Sequence, residues 1–165
     1  AALRIAWYKI YYPVQFYSAF FTVRGGAIDA VAAVQGKEAV KRKMNEIKLK
    51  GNEATAKEES QYVVLQIVIE MLARGYEFLP VDLNKSDWRV YKIEDGKIRL
   101  PFSAIDGIGE TAAQAIADAV QRNPDGFVAS DDLANEPGVG KSVVDALRAA
   151  GALGDLPETT QISLF

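Results

Sequence analysis

Two Gly-apolar-Gly tripeptides, 31 positions apart, are the residues of this sequence best suited to hold a ligand. They are Gly107-Ile108-Gly109 and Gly138-Val139-Gly140, and each precedes a segment with helical spacing of its apolar residues. Glycine permits a tight turn with positive φ and a close approach of backbone to ligand. The helix that follows presents unpaired N–H groups at its positive end, which favours an anion such as phosphate. The sequence therefore predicts two phosphate-binding turns.

The residues after the second glycine differ between the two copies. Lys141 and Ser142 suit a phosphate, whereas Glu110 would repel one unless it turns aside or caps its helix. Thr111 occupies the corresponding position to Ser142. Glu136 stands before the second turn, where an apolar residue is expected. We therefore expect unequal phosphate contacts, with more of them from the second copy.

The second turn also resembles the end of a P-loop, because Lys141 and Ser142 follow its glycines. That motif requires a glycine five residues before the final glycine, and Asn135 stands there. It also requires a preceding strand, which the sequence does not predict. Nucleotide binding at this position is therefore disfavoured.

Composition excludes several kinds of chemistry. The 165 residues include no Cys and no His, which excludes a zinc finger, a Ser-His-Asp triad and a Cys-His dyad. The absence of Cys fits a reducing cytoplasm. The net charge of −3 argues against a free-standing nucleic-acid binder, although turns that bind through backbone amides need less positive charge. No carboxylate pattern predicts a metal site, and no apolar run approaches the roughly 20 residues of a membrane helix.

Aromatic residues dominate the beginning of the chain. Tyr8, Tyr12, Phe16 and Phe20 recur every four residues and would line one helical face, with a kink or a new helix start at Pro13. We expect this stripe to pack in a core or against a preceding part of the protein, and base stacking is the alternative. The chain begins without methionine, and we expect it to be a piece of a larger protein.

Capping signals predict further helices before residue 85. Asp29 is a good N-cap for a helix that runs, with a break near Gly36, to Gly51. Thr55 and Glu58 form the S/T-x-x-E pattern of a capping box ahead of a broadly apolar helix.

The segment from Trp88 to Leu100 changes character. Asp95-Gly96 lies between alternating apolar residues, which predicts a small β-hairpin, and Pro101 closes it. The expected fold is mainly α, with a helical N-terminal region, this hairpin, the pair of turns with their helices, and an extended C-terminal tail.

The last residues, Gln161-Ile162-Ser163-Leu164-Phe165, place two large apolar side chains at a terminus. Such a terminus suits an extended peptide that inserts Leu164 and Phe165 into an apolar pocket of a partner. The alternative is that both side chains fold back on the core of their own domain.

Taken together, the two copies look like a tandem helix-hairpin-helix, a module that grips the nucleic-acid backbone without reading bases. The whole chain resembles the C-terminal end of the PolC-type replicative DNA polymerase III alpha subunit of bacteria. After the aromatic start, the segments that carry the resemblance are Ala54-Thr55-Ala56-Lys57-Glu58, Asp82-Leu83-Asn84-Lys85-Ser86, Pro101-Phe102-Ser103-Ala104-Ile105 running into the first turn, and the terminal pentapeptide. The departures are Ile162, where that family usually has leucine, and a second turn richer in glycine than is typical.

The resemblance implies four regions: residues 1–85 as the helical end of the polymerase fingers, 86–101 as a β-hairpin connector, 102–151 as the tandem helix-hairpin-helix, and 152–165 as a flexible tail. It implies that the parent enzyme is a DNA-directed DNA polymerase whose catalytic Mg²⁺ ions are held in a palm domain outside this segment. No catalytic residue, metal ligand or cofactor is then expected here, except that a monovalent cation could sit on the hairpin carbonyls.

The implied partners are double-stranded DNA, the bacterial sliding clamp and the rest of the polymerase chain, with no membrane. The DNA-binding residues would be Gly107, Ile108, Gly109, Thr111, Gly138, Val139, Gly140, Lys141 and Ser142, and the clamp-binding residues Gln161, Ile162, Ser163, Leu164 and Phe165. The alternative is a non-catalytic structural or protein-interaction module of a repair or recombination protein.

Overall fold

The computed structural model describes residues 1–26 and 28–160. The helices are α1 Ala2–Tyr11, α2 Pro13–Arg24, α3 Ala30–Gln35, α4 Lys37–Lys50, α5 Ala56–Ala73, α6 Glu110–Arg122, α7 Ser130–Ala134 and α8 Gly140–Ala149. The strands are β1 Phe78–Leu79, β2 Lys92–Glu94 and β3 Lys97–Arg99, and single 3₁₀ turns occupy Gly51–Glu53 and Phe102–Ala104. The predicted mainly α fold is confirmed. Across the described residues no helix is long and apolar enough to cross a membrane.

Pro13 begins a new helix, as predicted, and this divides the aromatic stripe. Pro13 is the first residue of α2, where its missing N–H costs nothing. The break changes the helical register, so the fully buried aromatics of α2 are Tyr17 and Phe21. Of the four aromatics predicted to share one face, Phe16 and Phe20 are partly buried against the core, whereas Tyr8 and Tyr12 keep about half their surface, at 47% each. Core packing is therefore confirmed in part for the second pair, and packing of the first pair against a preceding part of the protein stays a prediction.

Helix α1 buries no residue and is attached to the fold by polar contacts. Lys9 Nζ lies 2.8 Å from Glu70 Oε1 on α5, and Arg74 donates to the Lys9 carbonyl at 2.8 Å. The Tyr17 hydroxyl donates to Glu70 at 2.7 Å and accepts from Arg74 at 2.9 Å. Burial, followed by the hydrogen bond to Glu70, raises the pKa of Tyr17 to about 12.

The predicted helix caps are confirmed. Asp29 accepts a hydrogen bond from the Ala32 N–H at 3.0 Å, and the break falls at Gly36, whose φ is +104°. Thr55 and Glu58 form a full capping box at the start of α5. Hydrogen bonds from Lys50 and from the Thr55 backbone hold the pKa of Glu58 at about 2.

The predicted β-hairpin is confirmed, but it belongs to a larger sheet. Asp95 and Gly96 both have positive φ, as a two-residue hairpin turn requires. Strand β1 pairs with β3 in parallel, which gives the order β1-β3-β2. The segment is thus not only a connector, because Tyr91 beside β2 stacks against Phe21 of α2 at a centroid distance of 5.6 Å. Strand β1 has only two residues and was not predicted from the sequence.

Gly25 supplies a stability test at the junction of α2 and this sheet. Its φ of −63° and ψ of −46° are helical, so any residue could adopt them. A Cβ there would lie 2.5 Å from both the Phe21 carbonyl oxygen and the Tyr91 hydroxyl oxygen. We expect Gly25→Ala to lower the free energy of unfolding by about 1–3 kcal/mol through overpacking. Chemical denaturation measures this, with Gly109→Ala as control, since a Cβ at Gly109 meets nothing within 4 Å. Equal denaturation midpoints for Gly25→Ala and the parent chain would contradict it.

The C-terminal third shares its core with the N-terminal part. The buried cluster that contains Tyr17 and Leu65 also contains Phe102, Ile116 and Leu147. The tail predicted from residue 152 begins later than expected, because burying Ala152 and Leu153 removes apolar surface from water. The Leu83 N–H donates to the Ala152 carbonyl at 3.0 Å. These two residues therefore belong to the packed fold.

The chain after Leu153 is then held against α7. The N–H groups of Ser130 and Asp131 donate to the carbonyls of Pro157 and Glu158 at 2.8 and 3.1 Å. Arg148 of α8 donates to the Ser130 hydroxyl at 2.6 Å and to the Leu156 carbonyl at 3.3 Å. The segment is thus anchored by its backbone as far as Glu158.

Candidate nucleic-acid interface

The first turn places its glycines at the surface and its apolar residue inside. Gly107 has a φ of +87°, the left-handed conformation that favours glycine. Ile108 is only 4% exposed, and its N–H donates to the Ile105 carbonyl at 3.2 Å. Gly109 is the N-cap of α6 with an extended backbone, φ −76° and ψ 174°. Gly109 is therefore not required by the backbone conformation, and an open surface surrounds it.

The beginning of α6 offers free backbone donors. The Ala113 N–H is the first to bond back, to the Gly109 carbonyl at 2.9 Å. The N–H groups of Glu110, Thr111 and Ala112 precede that bond, and the first turn of a helix leaves such groups without intrahelical partners. Glu110 and Thr111 are exposed. This end of α6 is chemically suited to a phosphate oxygen, apart from the Glu110 carboxylate.

The second turn repeats the arrangement with a different backbone. Val139 is 4% exposed and its N–H donates to the Glu136 carbonyl at 3.2 Å. Gly138 and Gly140 both have positive φ, +79° and +75°. A Cβ on Gly138 would lie 3.0 Å from the Ala115 Cβ, so this turn packs directly against α6. The side chains of Lys141 and Ser142 are exposed at the start of α8.

The structure thus brings all nine predicted DNA-contacting residues to the beginnings of two helices. No described contact joins the two tripeptides to each other. The second packs near Ala115, five residues into α6, which is roughly 7.5 Å along the helix axis from its start. The two turns therefore lie close together along α6: the first precedes its start and the second packs against it at Ala115.

Glu136, the unexpected acidic residue, is turned away from the second turn's surface. Its carboxylate accepts from Arg122 Nη2 at 2.8 Å and from Asn123 Nδ2 at 2.8 Å, both at the end of α6. These hydrogen bonds, that from Arg122 foremost, lower the pKa of Glu136. Glu136 therefore links the end of α6 to the segment before the second turn, and its carboxylate is engaged by these two donors.

This ion pair predicts a pH effect on stability. Because the pKa of Glu136 is lowered in the folded chain, its stabilisation is present above the ordinary carboxyl pKa and is lost as pH falls through the folded value. Glu136→Gln should therefore lower Tm at pH 7, and the difference from the parent chain should shrink towards pH 3. Thermal unfolding at both pH values measures it. A difference that is constant with pH would contradict this role.

A groove of about 500 Å³, which was not predicted from the sequence, lies beside the first turn. Gly107, Gly109 and Glu110 line one side, and three basic residues from other elements also line it: Arg24, Lys57 and Arg89. Lys57 lies 2.8 Å from Asp106, and this hydrogen bond lowers the pKa of Asp106. The sequence carries no local signal for this grouping, because its three basic residues lie at least 32 positions from one another and the nearest, Arg89, lies 18 positions before Gly107.

The two turns and the basic groove are chemically suited to an anion, because they combine free backbone N–H groups with exposed basic side chains. Within residues 1–26 and 28–160 no three Asp, Glu, His or Cys side chains converge as a metal site would require. The described residues therefore do not offer the converging carboxylates that catalytic Mg²⁺ requires. A monovalent cation on the hairpin carbonyls stays a prediction. The predicted clamp-binding residues Gln161, Ile162, Ser163, Leu164 and Phe165 lie outside the described residues and stay predictions too.

The paired turns, buried apolar residues and following helices are those of a known class of nucleic-acid-associated module. Residues 75–161 match the family described as the helix-hairpin-helix motif. This chain belongs to the helix-hairpin-helix family.

The whole chain is also similar to bacterial polymerases. It is 41% identical over 165 residues to the "DNA polymerase III PolC-type" of Thermotoga petrophila, a match that covers 99% of this chain and 12% of that protein. The Thermotoga maritima and Pediococcus pentosaceus proteins of the same name are each 40% identical over 164 residues, 99% of this chain and 12% and 11% of theirs. The resemblance predicted from the sequence is confirmed, and the chain spans about 12% of the length of these relatives.

Proposed function

We propose that this chain is the duplex-holding segment of a bacterial PolC-type DNA polymerase III. One observation carries the proposal: two surface turns, each with exposed glycines around a buried apolar residue, precede helices whose first N–H groups are free. Backbone amides and Lys141 bind phosphate oxygens on any sequence, so the contacts position a duplex and do not read it. The similarity to PolC-type polymerases along the whole chain supports this assignment.

The experiment that tests duplex holding is a salt series. Fluorescence anisotropy with two labelled duplexes of unrelated sequence measures the affinity of the chain from low to physiological salt. We expect equal affinities and a steep linear loss of log affinity with log salt, about 0.9 in slope for each phosphate contacted. No binding at low salt would contradict the proposal.

The same experiment decides between this function and a purely structural role. The net charge of −3 and the exposed Glu110 at the first turn favour a module that contacts only protein. Such a module would bind neither duplex at any salt concentration. The groove with Arg24 and Arg89 beside the first turn favours DNA.

The polymerase activity would belong to the parent protein. Nucleotide transfer by a two-metal mechanism needs converging carboxylates, and we propose that the palm domain of the parent supplies them with their Mg²⁺. The purified 165-residue chain should therefore extend no primer. Detectable primer extension by that chain would contradict this division of labour.

The terminal pentapeptide is proposed to tether the polymerase to the bacterial sliding clamp in the cytoplasm. A glutamine, an aliphatic residue and a Leu-Phe pair provide a polar contact and a compact apolar anchor. A ring around DNA holds the tethered duplex-binding module at a high effective concentration, which increases processivity without a new contact at the active site.

A further inference from the structure

We propose that Arg24 and Arg89 complete the phosphate site of the first turn, so that this site is built jointly by the helix-hairpin-helix and the N-terminal region. The ligand is the sugar-phosphate backbone of one strand of a duplex. The inference rests on the proposed function and extends the binding surface beyond the nine residues of the two turns.

The groove beside the first turn extends from that turn to both arginines. It joins the end of α2, the loop before β2 and the first turn, and it includes Gly107, Gly109 and the start of α6. Its volume of about 500 Å³ falls within the range of ligand sites and exceeds what one ion needs. A strand bound at the amides of the first turn would therefore continue into a space that already contains two arginines.

Both arginine side chains are free to bind a phosphate. Their side chains are exposed and make no hydrogen bond or ion pair with any residue in the described part of the chain. By contrast, Arg99 is paired with Glu94, and Arg122 with Glu136. Arginine is well suited to phosphate, because its planar guanidinium can donate two parallel hydrogen bonds.

The two arginines also determine the net charge of the groove. Glu110 lies at the start of α6, where it would repel a phosphate held by the turn alone. Asp106 is matched by Lys57 at 2.8 Å, which leaves Glu110 as the unmatched carboxylate of the groove. Arg24 and Arg89 reverse the sign of the local charge. The second turn needs no such help, because it carries Lys141 itself.

The backbone that carries the two arginines is also fixed by the fold. The N–H groups of Arg89 and Val90 donate to Asp87 Oδ2 at 2.9 and 2.7 Å, which shapes the loop. Tyr91 then fixes this loop to α2: its N–H donates to Thr22 Oγ1 at 3.1 Å, and its carbonyl accepts from Ser18 Oγ at 2.5 Å. Thr22 lies two residues before Arg24. Binding therefore has to order the two side chains but not the backbone that carries them.

The test is the salt series with the double variant Arg24→Gln/Arg89→Gln, which removes both charges. We expect at least a tenfold loss of affinity at low salt for every duplex sequence, and a salt slope shallower by about 1.8, the value for two phosphate contacts. Arg42→Gln/Lys37→Gln, an equal charge change at exposed positions of α4, is the matched control and should retain the parent slope. Glu110→Gln should raise affinity about threefold in the parent chain, because it removes the unmatched carboxylate that repels the phosphate.

The outcomes separate this inference from the function on which it rests. Binding by the parent chain, with an unchanged affinity and slope in the arginine double variant, overturns the composite site and leaves duplex holding intact. Absence of binding by the parent chain overturns duplex holding and this site with it. Equal losses in the arginine variant and in the α4 control also overturn the site, because they would reflect net charge alone.

Discussion

Lys141→Glu is expected to lower the affinity of this chain for duplex DNA by roughly tenfold to a hundredfold, equally for every sequence. Lys141 is exposed in the first turn of α8, directly after Gly140, and pairs with no carboxylate among the described residues. A charge-assisted hydrogen bond to phosphate is worth about 1.5–3 kcal/mol, and a glutamate adds repulsion. The salt slope should become shallower by about one or two. Anisotropy titrations on several unrelated duplexes measure both quantities.

Folding does not complicate this prediction. A glutamate in the first turn of a helix interacts favourably with the helix dipole, so Lys141→Glu should leave Tm unchanged or slightly raised. Lys37→Glu is the matched control, because Lys37 is exposed in the first turn of α4 and pairs with no carboxylate among the described residues. A loss of affinity restricted to particular sequences would contradict backbone binding, and an equal loss with Lys37→Glu would assign the effect to net charge.

Leu164→Ala/Phe165→Ala is expected to abolish binding of the chain to a purified bacterial sliding clamp. Two adjacent apolar anchors that fill a pocket carry most of the energy of such a short peptide, and their loss leaves only polar contacts around them. Surface plasmon resonance with immobilised clamp measures the effect. Duplex affinity should not change, because the terminal pair is separate from both turns in sequence.

Thr159→Ala/Thr160→Ala provides the control, since both threonines are exposed and precede the pentapeptide. It should bind the clamp as the parent chain does. If the parent chain does not bind the clamp at all, the tether proposal is wrong. A lower Tm for the Leu164 and Phe165 variant would then favour the alternative that the terminal pair packs on its own domain.

Local signals in the sequence predicted the local features well. Pro13, the Asp29 cap, the Thr55 capping box and the Asp95-Gly96 turn all act through residues within four positions of each other. The burial of Ile108 and Val139 follows equally from the repeat, because an apolar residue between two surface glycines has only the core to enter.

The features that were missed depend on residues far apart in the chain. Strand β1 has two residues and exists because β3 offers it an edge, so no local pattern marks it. On α2, Tyr17 and Phe21 are fully buried and the predicted Phe16 and Phe20 only partly, because contacts with Glu70 of α5 and Phe78 of β1 decide which face of the helix is covered. The groove beside the first turn needs the contact of Tyr91 with α2 before Arg24 and Arg89 can approach Gly107.

The backbone bonds of Pro157 and Glu158 to α7 determine how far the end of the chain can reach. Only Thr159 and Thr160 separate Glu158 from Gln161. At about 3.3–3.6 Å per residue, the pentapeptide begins no more than roughly 11 Å from Glu158. A ring-shaped clamp bound to that peptide would therefore lie close to the helix-hairpin-helix module, and the short connection would restrict its movement relative to that module.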